Sequence, residues 1–259
     1  MNQTWNEGSY VIGVDLGQSQ DYTAVTVIEP QVFITADLQQ RYPYSDITVG
    51  WNSPTRIPTD MLDAALNNAH DVPNYVNRLN LPWPGNPQLA LRHLDRFRGV
   101  PYPEVVSRIE AMVQQDPISR LGAMVVIDGT GVGRAVVDLF RQTELNVAAI
   151  SIHGGDAVGR GGGYIRVPKR DLAAAVQSAL QTKRLEVAEG LPLWPVLRTE
   201  LQGFKIRIDP RTAHDSYSHW REGDHDDLVI ATALSIWFRD WTWRSYDRSR
   251  MEWRDDRAA

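Results

Sequence analysis

Residues 10–29, Tyr-Val-Ile-Gly-Val-Asp-Leu-Gly-Gln-Ser-Gln-Asp-Tyr-Thr-Ala-Val-Thr-Val-Ile-Glu, constrain this chain more than any other stretch. Val11, Ile12 and Val14 are apolar and β-branched, the make-up of a strand buried on both faces. Asp15 ends that strand, Gly17 permits the backbone to reverse, and Val25, Val27 and Ile28 read as the return strand. The pattern predicts a hairpin with a carboxylate at the tip of its first strand. Such a carboxylate is costly unless something positive or a donor meets it. A metal ion, a phosphate-bound cation and a backbone amide of the turn are the three ways to meet it.

The rest of the chain narrows that choice only in part. A chain of 259 residues buries a full core as one domain with room for an insertion. There is no cysteine, so disulfide and zinc-thiolate sites are excluded, which fits a reducing, cytoplasmic setting. Residues 1–9 are polar and carry no apolar signal region, and no run approaches membrane-spanning length. The net charge of −5 does not announce a nucleic-acid binder, so any such contact must come from a local patch. The basic residues are almost all arginine, with lysine only at Lys169, Lys183 and Lys205. Arginine forks well onto phosphate.

Along the chain, residues 31–87 are rich in Pro, Asn, Trp and Tyr and read as an insertion, with a short helix over 59–68. Residues 88–97 alternate as a third strand and 102–115 carry a helical stripe. Ala-Met-Val-Val-Ile-Asp at 123–128 is the clearest buried strand, and it too ends in an aspartate, Asp128, before Gly-Thr-Gly-Val-Gly. A helix over 134–142 and a strand over 147–152 follow, a succession that argues for parallel pairing. After a glycine-rich loop at 154–163 the pattern predicts helices over 170–183 and 193–204, a hairpin over 205–220, and a long helix over 224–241. The expected organisation is one domain over 1–243 and a charged, frayed tail over 244–259.

Asp15, Asp128 and the pair Asp226 and Asp227 are the acidic points that end strands or open a helix. Each has a plain structural use: a turn former at Asp15, a turn cap at Asp128, and dipole-complementing residues at Asp226 and Asp227. If the first two strands are neighbours and the last helix crosses them, the four carboxylates meet, and they cannot all stay charged without a counter-ion. Hard divalent cations take oxygen ligands. Two such ions about 3.5–4 Å apart stabilise the attacking and leaving oxygens of a phosphoryl transfer.

The ordered set resembles the nuclease domain of the large terminase subunit of tailed phages, a branch of the RNase H-like superfamily. Four stretches carry the resemblance: Val-Ile-Gly-Val-Asp15-Leu-Gly-Gln-Ser-Gln-Asp-Tyr-Thr-Ala, Val-Val-Ile-Asp128-Gly-Thr-Gly-Val-Gly, Val167-Pro-Lys-Arg-Asp-Leu and His225-Asp-Asp-Leu-Val. It spans residues 10–241 apart from 31–87. It implies an RNase H-like α/β fold, a central mixed sheet flanked by helices. It further implies an endonuclease that cuts double-stranded DNA with two Mg2+ or Mn2+ ions during viral or prophage genome packaging. The ligands carried over are Asp15, Asp128 and one of Asp226 and Asp227, with Asp226 preferred. Lys169 is placed to orient a carboxylate or touch phosphate, and His225 to contact the scissile phosphate. Arg160, Arg166 and Arg170 are expected to position the DNA backbone rather than read bases.

The chain departs from a complete large terminase in lacking a Gly-x-x-x-x-Gly-Lys-Ser/Thr phosphate loop. It is therefore not expected to translocate DNA alone. A separate ATPase motor subunit, a small terminase subunit or a portal is the implied partner besides double-stranded DNA, and no membrane is involved. Two rivals share the fold. A structure-selective nuclease such as a Holliday junction resolvase differs only in substrate. An actin-like or sugar-kinase-type nucleotide-binding protein would use Asp15-Leu-Gly and Asp128-Gly-Thr-Gly as phosphate loops, leaving Asp226 and Asp227 idle.

Overall fold

The structure, a computed structural model, describes residues 3–6, 10–17, 21–34, 88–207 and 226–255. Its frame is a sheet with nine strands among those residues. In chain order these are β1 (Gln3–Asn6), β2 (Tyr10–Asp15), β3 (Tyr22–Ile34), β4 (Gln88–Arg98), β5 (Ala123–Asp128), β6 (Asn146–His153), β7 (Gly159–Gly161), β8 (Tyr164–Pro168) and β9 (Leu185–Val187). They lie side by side as β7-β8-β6-β5-β2-β3-β4-β9, and β1 pairs with the far end of β3. The hairpin expected at the start is present: β2 and β3 are antiparallel, with Val11 opposite Ile28 and Asp15 opposite Ala24. β4 continues the antiparallel half, whereas β5, β6 and β8 run parallel to β2. The helices are α1 (Tyr102–Val113), α2 (Ile118–Leu121), α3 (Arg134–Arg141), α4 (Lys169–Gln181), α5 (Trp194–Arg207) and α6 (Asp227–Asp255).

The sheet is covered on both faces, which explains why its central strands are apolar without alternation. On one face Ile12, Val14, Val125 and Ile127 pack against Val105 and Ile109 of α1 and Val137 and Phe140 of α3. On the other, Val11, Val126, Ile150 and Val167 pack against α4, α5 and α6. α6 is the centre of that second layer and touches β2, β3, β5, α4 and α5. Every residue from Leu228 to Asp240 is buried, so this helix is apolar nearly all round rather than on one stripe. Full burial of each Leu or Ile there contributes about 1.5–3 kcal/mol. The two hydroxyls in the run turn back onto their own helix: Thr232 donates to the Leu228 carbonyl at 2.7 Å and Ser235 to the Ala231 carbonyl at 3.2 Å. This is an α/β architecture, a mixed sheet flanked by helices, in keeping with the RNase H-like fold that the motif resemblance implies.

Several elements differ in extent from the sequence expectation. β3 is longer than the return strand of the hairpin, and its residues 31–34 pair with β1 instead of opening the insertion. The glycine-rich loop contains β7, which folds back on β8 through Gly162 and Gly163 at φ of 60° and 83°, the positive values a tight two-residue turn requires. α5 continues through residues 205–207, where a hairpin was expected to begin, and α6 continues to Asp255, beyond the end expected at 241. The rest of the expected insertion, with the 59–68 helix, lies outside the described residues, as do residues 208–225. Among the described residues, no helix is long and apolar enough to cross a membrane.

Candidate active site

β2 and β5 are parallel neighbours with Val14 opposite Ile127, so Asp15 and Asp128 are the next residue on each strand. Their backbones are therefore about 4.8 Å apart. Alternation fixes the face. Val11 and Val126 belong to the core under α6, so Asp15 and Asp128, an even number of residues further on, face the same way. Both carboxylates thus sit at one end of the sheet on the face that α6 covers.

α6 is held over that face at Gly13. A Cβ built on Gly13 would lie 1.9 Å from the Ala231 carbonyl oxygen and 2.4 Å from Ser235 Oγ, so helix and strand backbones touch there. Thr26, opposite Gly13 on β3, meets Ser235 Oγ at 3.3 Å. One helical turn before Ala231 is Asp227, and two residues after Gly13 is Asp15. The cross-strand row Asp15–Ala24–Arg96 therefore runs beneath the first turn of α6. The ion pair between Arg96 Nη2 and Asp227 Oδ2, 2.8 Å long, fixes that alignment.

Arg96 and Glu200 belong to this site, and sequence reasoning missed both. Arg96 reaches it because of a register shift between β3 and β4. Val27 lies opposite His93 and Ile28 opposite Leu91, which leaves Arg92 as the extra residue of a bulge. Leu89, Leu91 and Leu94 then share one core, although simple alternation puts Leu94 on the other face. Arg96, two residues on, faces α6 with Leu94. Its guanidinium lies 4.0 Å above the Tyr22 ring and 3.4 Å from Glu200 Oε1. Glu200, from α5, accepts the Val229 N–H at 3.0 Å through Oε2 and so caps the first turn of α6. Burial pushes the Glu200 carboxyl up to about 7; the Val229 N–H and Arg96 oppose that shift, and the charges of Asp227 and Asp226 reinforce it. Among the described residues, Glu200 Oε1 and Arg96 Nε are buried without a hydrogen bond.

Asp128 is 6% exposed and accepts the Thr130 N–H at 2.7 Å, so the turn-capping use foreseen for it is real and engages one oxygen. The turn is tightened by Gly129 N–H on the Ile150 carbonyl and Ile152 N–H on Thr130 Oγ1, both 2.8 Å. Lys169 opens α4 directly after β8, at the same end of the sheet, with β6 between β8 and β5. His225 lies outside the described residues. Asp21 is exposed at the bend leading into β3. Of the three arginines expected to meet DNA, Arg166 is exposed on β8, Arg160 stacks 4.9 Å over Trp241, and Arg170 pairs with Asp156.

The donors at this edge are oxygen atoms of aspartates, the set that hard divalent cations prefer. The fit is one of chemistry and edge alignment; among the described residues, no three His, Asp or Glu side chains are drawn together as a finished metal cage.

No protein-family model and no curated protein matches the sequence. Among solved structures, the chain is similar to the large terminase nuclease from thermophilic phage G20c, with 16% identity and a TM-score of 0.42 over 88% of this chain and 81% of that one. It is also similar to the human cytomegalovirus terminase nuclease domain in a manganese-soaked crystal, at 13% identity and TM-score 0.41, covering 88% and 81%. For the large terminase of a second thermophilic bacteriophage the identity is 10% and the TM-score 0.44, and 88% of this chain spans 39% of that one.

Proposed function

We propose that this chain is a divalent-cation-dependent endonuclease that hydrolyses double-stranded DNA, acting in viral or prophage genome packaging within the host cytoplasm. One observation carries the chemistry: Asp15 and Asp128 end adjacent parallel strands on the face where α6 begins at Asp227, with Asp226 just before it. The packaging context follows the motif resemblance, as do the partners, a separate ATPase motor subunit, a small terminase subunit or a portal.

Asp15, Asp128 and Asp226, with Asp227 beside them, would hold Mg2+ or Mn2+, two ions in the full site. When bound, such ions supply Lewis-acid charge to the phosphodiester and an activated water. The residues of this chain do the rest. The rigid ends of β2 and β5 fix two carboxylates, and the Asp128 turn holds its side chain against rotation. Lys169 is assigned to phosphate or to a neighbouring carboxylate, His225 to the scissile phosphate, and Arg160, Arg166 and Arg170 to the DNA backbone. Because such contacts read charge rather than bases, cleavage should be weakly sequence-specific and binding salt-sensitive.

The nucleotide-binding alternative needs backbone amides turned toward a phosphate. Here Gly17 N–H donates to Thr23 Oγ1 at 3.1 Å, Gly129 N–H to the Ile150 carbonyl, and Thr130 N–H to Asp128. Those amides serve the protein itself, which weighs for the nuclease. Plasmid cleavage with EDTA, magnesium and manganese in parallel tests the proposal. Metal-dependent cleavage that disappears in Asp128→Ala is the expected result. Metal-independent or absent cleavage, with ATP binding instead, overturns it.

A further inference from the structure

We propose that Arg96 and Glu200 are positioning residues of this site: together they set where the first turn of α6, and therefore Asp226 and Asp227, stands relative to Asp15 and Asp128. The inference deepens the nuclease reading and rests on it.

Three observations converge. The first is connection. Arg96 comes from β4, Glu200 from α5 and Asp227 from α6, and the guanidinium bridges both acids, at 2.8 Å to Asp227 and 3.4 Å to Glu200. Glu200 grips the same turn a second time through the Val229 N–H. Two independent holds on one helical turn leave it little freedom to rock or slide.

The second is the bulge at Arg92. Without the extra residue, Arg96 would face away from α6. Bulges beside functional sites re-aim side chains in this way, at the expense of local ladder hydrogen bonds. Here the re-aiming delivers a guanidinium from β4 to Asp227 at the start of α6. Stacking on Tyr22 holds the guanidinium plane in place as well.

The third is incomplete pairing. The side chains of Glu200 and Arg96 are 5% and 12% exposed, yet Glu200 Oε1 and Arg96 Nε have no hydrogen bond among the described residues. A pair selected for stability alone would be expected to satisfy its buried polar atoms. This one spends its geometry on alignment, as groups behind the ligands of a metal site do.

The experiment uses the full chain, with Arg96→Ala, Arg96→Lys and Glu200→Gln beside wild type. Manganese binding to the DNA-free protein is measured by calorimetry. Plasmid cleavage is then followed against manganese concentration at fixed DNA, and folding is checked by circular dichroism melts in EDTA. Groups behind metal ligands typically govern affinity by about 10–100-fold. Arg96→Ala should weaken manganese binding by about that factor and raise the manganese needed for half-maximal cleavage in proportion, with KM for DNA unchanged. Saturating manganese should restore most of the rate. Arg96→Lys keeps the charge but loses the fork, and should lie between. If Arg96→Ala does not fold, Arg96→Lys and Glu200→Gln carry the test, each with a several-fold shift in the same direction. Folded variants whose manganese affinity and dose response equal those of wild type overturn the inference and leave the nuclease standing. Wild-type protein that neither binds manganese nor cuts DNA overturns the nuclease reading, and this inference with it.

Discussion

α6 carries buried charge at two levels, and the two are built differently. Near its middle, Asp240 is buried and Arg184 forks onto it with both nitrogens, at 3.0 and 2.7 Å, so each carboxylate oxygen is matched. Arg239 lies beside the pair; burial pulls its pKa down to about 9, opposed by Asp240. At the start of the same helix a single guanidinium, Arg96, is divided between Asp227 and Glu200, with Asp226 adjoining and Asp15 and Asp128 at the sheet edge below. The first arrangement is a closed pair. The second is an open arrangement, in which one guanidinium is divided between two carboxylates and Asp15 and Asp128 end their strands at the edge below. A closed pair holds a helix in place, whereas the open arrangement is the one the proposed cation would need.

That contrast predicts two kinds of failure. Asp15→Ala and Asp128→Ala should reduce metal-dependent cleavage to background while leaving the melting curve in EDTA close to wild type. Asp240→Ala should do the reverse. It strands Arg184 in the core, and breaking a buried pair by removing one partner costs about 3–5 kcal/mol. The prediction is a lower melting temperature and normal activity per folded molecule. An Asp240→Ala protein that melts like wild type, or an Asp128→Ala protein that unfolds, would erase the distinction between the two ends.

Gly13→Ala probes the contact that joins both levels to the sheet. Its Cβ would fall 1.9 Å from the Ala231 carbonyl oxygen, a backbone atom that no rotamer change can move away. Overpacking of this kind costs about 1–3 kcal/mol, and about 2–4 °C of melting temperature per kcal/mol in a chain of this size. If α6 lifts to relieve the clash, its first turn leaves the Asp15–Asp128 edge, so activity should fall by more than the loss of folded protein explains. Loss of stability with full activity in the folded fraction would show that the site tolerates a displaced helix.

The sequence made the strands and their acidic ends legible because those signals are local. A β-branched run that stops at Asp15 or Asp128, or an apolar helix preceded by Asp226 and Asp227, can be read within ten residues. The parallel pairing of β5 with β6 followed from the strand–helix–strand succession, whereas the adjacency of β2 and β5 entered only as a condition for the carboxylates to meet. Arg96 and Glu200 were not legible. Arg96 meets Asp227 across 131 positions and Glu200 meets Val229 across 29, and neither lies in a recognisable pattern. The bulge misled further, since period-two alternation over 88–97 sets Leu94 on the face opposite Leu89 and Leu91, whereas the three share one core. β1 was missed for a related reason: Gln3–Asn6 is polar, and it is a strand only because β3 extends far enough to pair with it.

The smallest effect tests the open arrangement through its protons. Burial gives Glu200 a pKa of about 7 in the folded chain, against an ordinary value of 4.5, so the folded state binds that proton more tightly than the unfolded state does. The stability Glu200 contributes is therefore full below about pH 4.5, declines as pH rises through the interval, and is gone above about pH 7. Glu200→Gln has nearly the same shape, keeps an oxygen for the Val229 N–H and cannot ionise. In EDTA the wild-type melting temperature should fall relative to that of the Gln variant between about pH 4.5 and about pH 7. The closed pair offers the control. Asp240 is matched by Arg184, and the difference between wild type and Glu200→Gln should persist in any background that leaves that pair intact. Manganese should flatten the wild-type slope, because a cation among Asp15, Asp128 and Asp226 offsets the negative charge that helps to hold the proton on Glu200. Parallel curves for the two proteins in EDTA would mean that Glu200 is already balanced by Arg96, and that the start of α6 is as closed as its middle.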